Sequence, residues 1–337
     1  MPEGGTDVPA SELLPWHEET WAHLLGRLSS GRFPHALLLS GPRGVGKEQL
    51  ARRLAEALVC DATEVMNRPC GTCPSCRLSR AGTHPDIHWL APEEQGKAIR
   101  IDAVRALIGR SALTTQARGM RVFVISPAEA MNRAAANALL KTLEEPVPSS
   151  TLVLVSSSPH RLPATIRSRC QRLTLNPVQM DVAGAWLKKR ETSDDAENAL
   201  ALAGGAPLLA LRFLEEGRLG QVMSLLEDLK ALKLRKANPV AVAADWSKMG
   251  AEEVLDGLRR ILGDMLRQAS GEAPRLLPSN SAEYLQVLMK NINLRKLFDF
   301  VDELNRLEVQ LVNNLNAGML SERLVNTWLA TTRAEKH

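Results

Sequence analysis

An α/β domain built on a parallel sheet, followed by all-helical domains, is the fold class that the sequence predicts. Three observations predict it. Short apolar runs alternate with amphipathic stretches over the first ~175 residues, the pattern of strand–helix–strand units. The first of those runs leads into a glycine loop of the phosphate-binding type, which belongs between a strand and a helix. Beyond Pro177 the strand patterns stop and Ala- and Leu-rich helical periodicity takes over.

Ala36 to Ser40 reads as a buried strand. Glu48 to Val59 reads as a helix, because Leu50, Leu54, Ala57 and Leu58 fall on one face at the i, i+4, i+7, i+8 spacing. Ile87 to Leu90, Val122 to Ile125 and Leu152 to Val155 are the second, third and fourth strands, and Gln171 to Leu175 completes the set. Met131 to Leu143, rich in Ala and stopped by Pro146, reads as a helix between the third and fourth. Asp181 to Leu211 reads as short helices around the break Gly204-Gly205-Ala206-Pro207. From about Gly220 the chain reads as helix almost throughout, punctuated by Pro239, Gly250 and the stretch Gly271 to Pro278.

A chain of 337 residues exceeds one ordinary core, so two or three domains are expected. The boundaries expected are 1–175, 176–218 and 219–337. A net charge of +4, from 42 basic and 38 acidic residues, is too mild to argue for nucleic-acid binding. No run of eighteen apolar residues exists to span a membrane. The opening MPEGGTDVPASELLPW has neither a basic nor an apolar signal region, so the expected location is the cytoplasm, where thiols stay reduced.

In "LLLSGPRGVGKEQLARRLAEAL" the residues Gly41, Gly44, Gly46 and Lys47 match a phosphate loop, in which backbone N–H groups and a helix N-terminus face the phosphates. The next position normally carries Ser or Thr to hold Mg²⁺, and here it is Glu48. A carboxylate ~4 Å from a phosphate charge is repelled by roughly 4 kcal/mol at an effective dielectric near 20, although a carboxylate also ligates Mg²⁺. In a hydrolysing loop of this kind the third strand ends in Asp-Glu, which position the metal and the attacking water. "RVFVISPAEAMN" places Ser126 and Pro127 there, with Glu129 two residues further along. Two readings stay open, a structural relic and a residual ATP or ADP site.

"CDATEVMNRPCGTCPSC" carries Cys60, Cys70, Cys73 and Cys76, with turns forced by Pro69, Gly71 and Pro74. Four thiolates in a short loop of a cytosolic protein fit a closed tetrahedral structural Zn²⁺ site with no open position for catalysis. An iron–sulfur cluster is the rival, but the fourth ferredoxin cysteine is replaced by Arg80. His84 is a further candidate ligand and reads as structural, and Cys170 reads as a core residue.

The cysteine loop inside a phosphate-loop domain, "AAANALLKTLEEP" and "PATIRSRCQ" together resemble the bacterial DNA polymerase III clamp-loader subunits of the AAA+ class. The resemblance is strong over the first two domains and rests only on helical texture beyond them. It implies an AAA+ P-loop domain, a small helical lid and a C-terminal helical collar. It implies that Arg169, in Ser168-Arg169-Cys170, is an arginine finger acting in trans on the ATP of a neighbouring subunit. Ser157 falls near the family's polar sensor, and the lid's sensor arginine is expected near Leu208, with Arg212 one turn later. "NNLNAGMLSERLV" resembles the last collar helix. The implied partners are gamma/tau-type motor subunits, a delta-type subunit and, through the complex, the sliding clamp and primer-template DNA. The implied activity belongs to an assembly with DNA-directed DNA polymerase, a nucleotidyltransferase, while the chain itself contributes little or no ATPase. An active motor subunit of the same fold is the alternative, and a zinc-dependent DNA-binding module is a third reading that the near-neutral charge disfavours.

Overall fold

The computed structural model describes residues 11–94, 96–111, 120–191, 193, 195–275, 277, 281–311 and 316–332. The first ten residues of the N-terminal stretch, two residues of the Gly271 to Pro278 break and Asn313 to Leu315 of the last helical motif lie outside these. The chain divides into two compact units, one ending at Val178 and the other beginning at Gln179.

In the first unit α1 (Glu18–Ser29) precedes β1 (Ala36–Ser40), α2 (Lys47–Val59) and α3 (Pro74–Arg80). Then come β2 (Ile87–Leu90), α4 (Ile101–Ser111), β3 (Arg121–Ile125), α5 (Arg133–Glu144), β4 (Ser150–Ser156), α6 (Ala164–Arg167) and β5 (Gln171–Thr174). The five strands form one sheet in the order β2-β3-β4-β1-β5, and every pairing is parallel. β1 lies between β4 and β5, with Leu38 opposite Leu154 on one side and Arg172 on the other. All of β1 and β3 is buried, as expected of parallel strands covered on both faces.

Alternation divides the apolar side chains between the faces. Leu38, Phe123, Ile125, Leu152 and Leu154 join a core with Val104 and Leu107 of α4, Ala135, Leu139 and Leu143 of α5 and Ile166 of α6. On the other side α2 packs on β1, β3 and β4, and its Leu50, Leu54, Ala57 and Leu58 are buried as the periodicity requires. Removing a leucine of this kind costs about 2–5 kcal/mol.

Departures from the sequence reading are local. α5 begins two residues later than Met131, because Asn132 takes the cap position and its side chain accepts the Ala135 N–H at 2.8 Å. The segment between β4 and β5 holds only one α-helical turn, α6. The chain must be extended again at Gln171, where β5 pairs with Leu37 of β1.

The second unit contains no strand among its described residues. Three short helices, α7 (Met180–Arg190), α8 (Ala196–Leu202) and α9 (Pro207–Glu215), pack on one another. They are followed by α10 (Arg218–Lys233), α11 (Pro239–Met249), α12 (Ala251–Ala269), α13 (Ala282–Met289), α14 (Leu294–Leu311) and α15 (Ala317–Thr332). Two buried tryptophans tie these to α10. Trp246 donates its ring N–H to Asp228 at 2.8 Å, and Trp328 donates to the Leu229 carbonyl at 3.0 Å.

Candidate functional site: a phosphate loop and a four-cysteine cluster

The phosphate loop leaves the C-terminal end of β1 and enters α2. Gly41 needs to be glycine, because its φ is 152° and a Cβ there would stand 2.5 Å from the Leu175 carbonyl oxygen. Gly46 sits at φ 89° directly before the helix, a left-handed conformation that costs other residues free energy. Lys47 is buried and its ammonium donates to the Pro42 carbonyl at 2.6 Å, folding back onto the loop.

Glu48 lies in the first turn of α2, where the helix dipole favours a carboxylate. Its Oε1 accepts a hydrogen bond from the Ser126 hydroxyl. Ser126 is the residue just past the end of β3, so α2 and β3 meet here across β4. Glu129 is held elsewhere. One of its oxygens accepts from the backbone N–H of Ser157 at 2.9 Å and of Ser158 at 3.1 Å, pinning the turn after β3 to the end of β4. Charge-assisted bonds of this type are worth about 1.5–3 kcal/mol each.

Pro15, Trp16 and His17 form a short turn beside the loop, and Trp16 donates its ring N–H to the Val45 carbonyl at 2.9 Å. His17 is 1% exposed, and neither ring nitrogen has a hydrogen-bond partner among the described residues. Burial, which disfavours the charged imidazolium, lowers its pKa to about 4. Sequence reasoning misses this residue, since nothing in "LPWHEE" signals that the histidine faces inward.

The sulfur atoms of Cys60, Cys70, Cys73 and Cys76 lie within 4.8 Å of one another. Cys60 stands at the end of α2, and Cys73 and Cys76 bracket the start of α3. The Cys60 and Cys73 sulfurs are 3.9 Å apart. A tetrahedral metal with bonds of ~2.3 Å to sulfur requires about 3.8 Å between its ligands, so this donor set fits a structural metal ion. Backbone N–H groups of Ala62 and Cys70 point at the Cys60 sulfur at 3.5 and 3.4 Å, and that of Cys76 points at Cys73 at 3.3 Å. Burial pushes the Cys60 and Cys76 thiols up, whereas hydrogen bonds from Thr72 and Cys73 bring Cys70 down to about 6. His84 is outside the cluster, its Nδ1 accepting the Asp86 N–H at 3.1 Å. Cys170 is buried in the sheet core, and burial raises its thiol to about 11.

Arg169 follows α6 at the edge of the sheet. Its guanidinium pairs with Glu144 at 2.6 Å and donates to the Thr165 carbonyl at 3.1 Å, with 37% of the side chain exposed. In the second unit Leu208 is buried in α9, and Arg212 is paired with Glu216 at 2.7 Å.

A glycine loop between a buried parallel strand and a helix, with strand order 5-1-4-3-2, defines a phosphate-loop α/β protein, the class that the AAA+ resemblance implies. Residues 16–179 match the family described as DNA polymerase III, delta subunit, and residues 187–329 match its C-terminal counterpart. The chain is 35% identical over 324 residues to DNA polymerase III subunit delta' of Pseudomonas aeruginosa, covering 94% of this chain and 98% of that protein. It is 34% identical to the Escherichia coli subunit delta' over 261 residues, 77% of this chain and 78% of that one. The E. coli subunit tau matches at 29% over 280 residues, 79% of this chain but 41% of the longer protein. The chain belongs to the delta' family of DNA polymerase III clamp-loader subunits.

His17 gives the phosphate-loop unit a pH signature. With the folded pKa depressed to about 4 from 6.5, the unfolded chain binds more protons between those values, so stability is complete above about pH 6.5 and is lost as pH falls towards 4. Between about pH 7 and pH 5 wild type should lose roughly 2 kcal/mol more than His17→Leu in urea unfolding. Equal losses would show that His17 is not buried neutral.

Proposed function

We propose that this chain is a non-hydrolysing, stator-like subunit of the clamp loader, acting in the cytoplasm in a hetero-oligomer with gamma/tau-type motor subunits and a delta-type subunit. Through that complex it supports ATP-driven loading of the sliding clamp onto primed DNA. The observation that carries this reading is the end of β3. Ser126 and Pro127 stand where a hydrolysing subunit has two carboxylates, and the nearby Glu129 already accepts two backbone N–H groups. Residues 176–218 act as the lid and residues 219–337 as the collar through which the subunits assemble.

Its contribution to chemistry is Arg169, offered in trans to a neighbour's ATP. Support comes from the Ser168-Arg169-Cys170 context and from a guanidinium that is partly exposed yet oriented by Glu144 and Thr165. A surface ion pair of this kind is worth at most about 1 kcal/mol, so exchange of Glu144 for a triphosphate costs little. A planar guanidinium neutralises charge developing on the transferring phosphoryl group.

The four-cysteine cluster holds one structural Zn²⁺. Elemental analysis should find one zinc and no iron per chain, and Cys73→Ser should lose it and increase proteolysis between Cys60 and Arg80, because metal binding and local folding are coupled. Iron, or no metal in freshly reduced protein, would contradict the assignment.

Arginine fingers are worth about 10³–10⁵ in rate at the site they serve. In a reconstituted complex, Arg169→Ala should lower total clamp-dependent ATPase in part and clamp loading further, with assembly on gel filtration unchanged. An assembled complex with both activities intact would remove Arg169 from this role.

A further inference from the structure

The Glu48–Ser126 contact is more than the loss of two metal-binding groups. A working phosphate loop places a hydroxyl in the first turn of the helix and a carboxylate at the end of the third strand, and the two hold Mg²⁺ between them. Here the carboxylate is on the helix and the hydroxyl on the strand, and they bond to each other directly. We infer that Glu48 and Ser126 form a reciprocal exchange that closes the loop to divalent metal, so that this site discriminates against the Mg²⁺-chelated form of a nucleoside triphosphate. The inference rests on the non-hydrolysing reading above and supplies its physical cause.

Four observations support it. Two oxygens that share a Mg²⁺ ion aim lone pairs at it from ~2.0–2.1 Å. The Ser126 hydroxyl instead donates to Glu48, so a proton occupies the space an ion would need. Ser126 is 5% exposed, which removes water as a competing partner and strengthens the bond. Glu48 also brings its own negative charge to the N-terminus of α2, the place where the helix dipole would otherwise favour a phosphate. Lys47 adds to the closure, since its ammonium is bonded to the Pro42 carbonyl at 2.6 Å within the same loop. A Mg²⁺-nucleotide therefore does not fit the residues as they stand.

Restoring the ordinary placement of the two groups tests this in the full-length chain. The double variant Glu48→Thr/Ser126→Asp puts the hydroxyl on the helix and the carboxylate on the strand. Binding of a fluorescent ATP analogue is measured with Mg²⁺ and with excess EDTA. Mg²⁺ should tighten binding to the double variant by about tenfold or more and leave wild type unchanged. A second readout needs no nucleotide. Ser126→Asp alone sets two carboxylates against each other and should lower Tm, and adding Glu48→Thr should recover most of that loss. The exchange is refuted if wild type itself binds about tenfold tighter with Mg²⁺. It is equally refuted by a folded double variant without Mg²⁺ dependence, or by strictly additive effects on Tm. ATP turnover by wild type would instead remove the non-hydrolysing reading, so the two failures are distinguishable.

Discussion

The parallel pairing of β1 between β4 and β5 is the constraint on which the phosphate loop depends. Leu175 donates its backbone N–H to the Ser40 carbonyl at 2.7 Å, and the Leu175 carbonyl then occupies the space beside Gly41. That crowding fixes where the loop leaves the strand. The loop in turn sets the start of α2, and the apolar face of α2 anchors it over β1, β3 and β4. Only because α2 is held there does Glu48 reach across β4 to the residue that ends β3. A hydrogen bond between two side chains 78 positions apart is thus a product of strand order rather than of local sequence.

Most of this architecture is legible in the sequence because buried parallel strands and one-sided helices impose different periods. The run Ala36 to Ser40 and the spacing of Leu50, Leu54 and Leu58 carry that signal plainly. Cysteine spacing is as informative, since four sulfurs that close on one point need a short loop with turns in fixed places. Other features are set by tertiary context. The single turn of α6 reflects the demand of β5 for an extended chain at Gln171, which no local propensity announces. His17 is buried by the way its turn lies on the loop, and Glu129 finds its partners on another strand. Sequence reasoning identifies Glu48 and Ser126 as separate departures from a working loop. Their direct contact, which makes them one departure, becomes visible only when β3 and α2 are in place.

Seen together, the polar groups of the first unit are arranged for rigidity around the loop and for accessibility at its edge. Lys47, Glu48, Ser126 and Glu129 are all hydrogen-bonded inside the fold, and Trp16 fastens the preceding turn to Val45. Arg169 is the contrasting case, a partly exposed guanidinium held by an exposed carboxylate. Interior bonds in a low-dielectric setting are stiff, whereas an exposed pair exchanges partners readily. This contrast between an internally bonded loop and a partly exposed Arg169 is what the proposed role of the chain rests on.

Steady-state ATP turnover by the purified chain, with Lys47→Ala as the control for contaminating activity, decides whether this subunit hydrolyses ATP. For a non-hydrolysing subunit, wild type and Lys47→Ala should show the same negligible rate, whether or not clamp and primed DNA are present. A wild-type rate near the ordinary enzymatic range of about 1 s⁻¹ or above, abolished by Lys47→Ala, would contradict it.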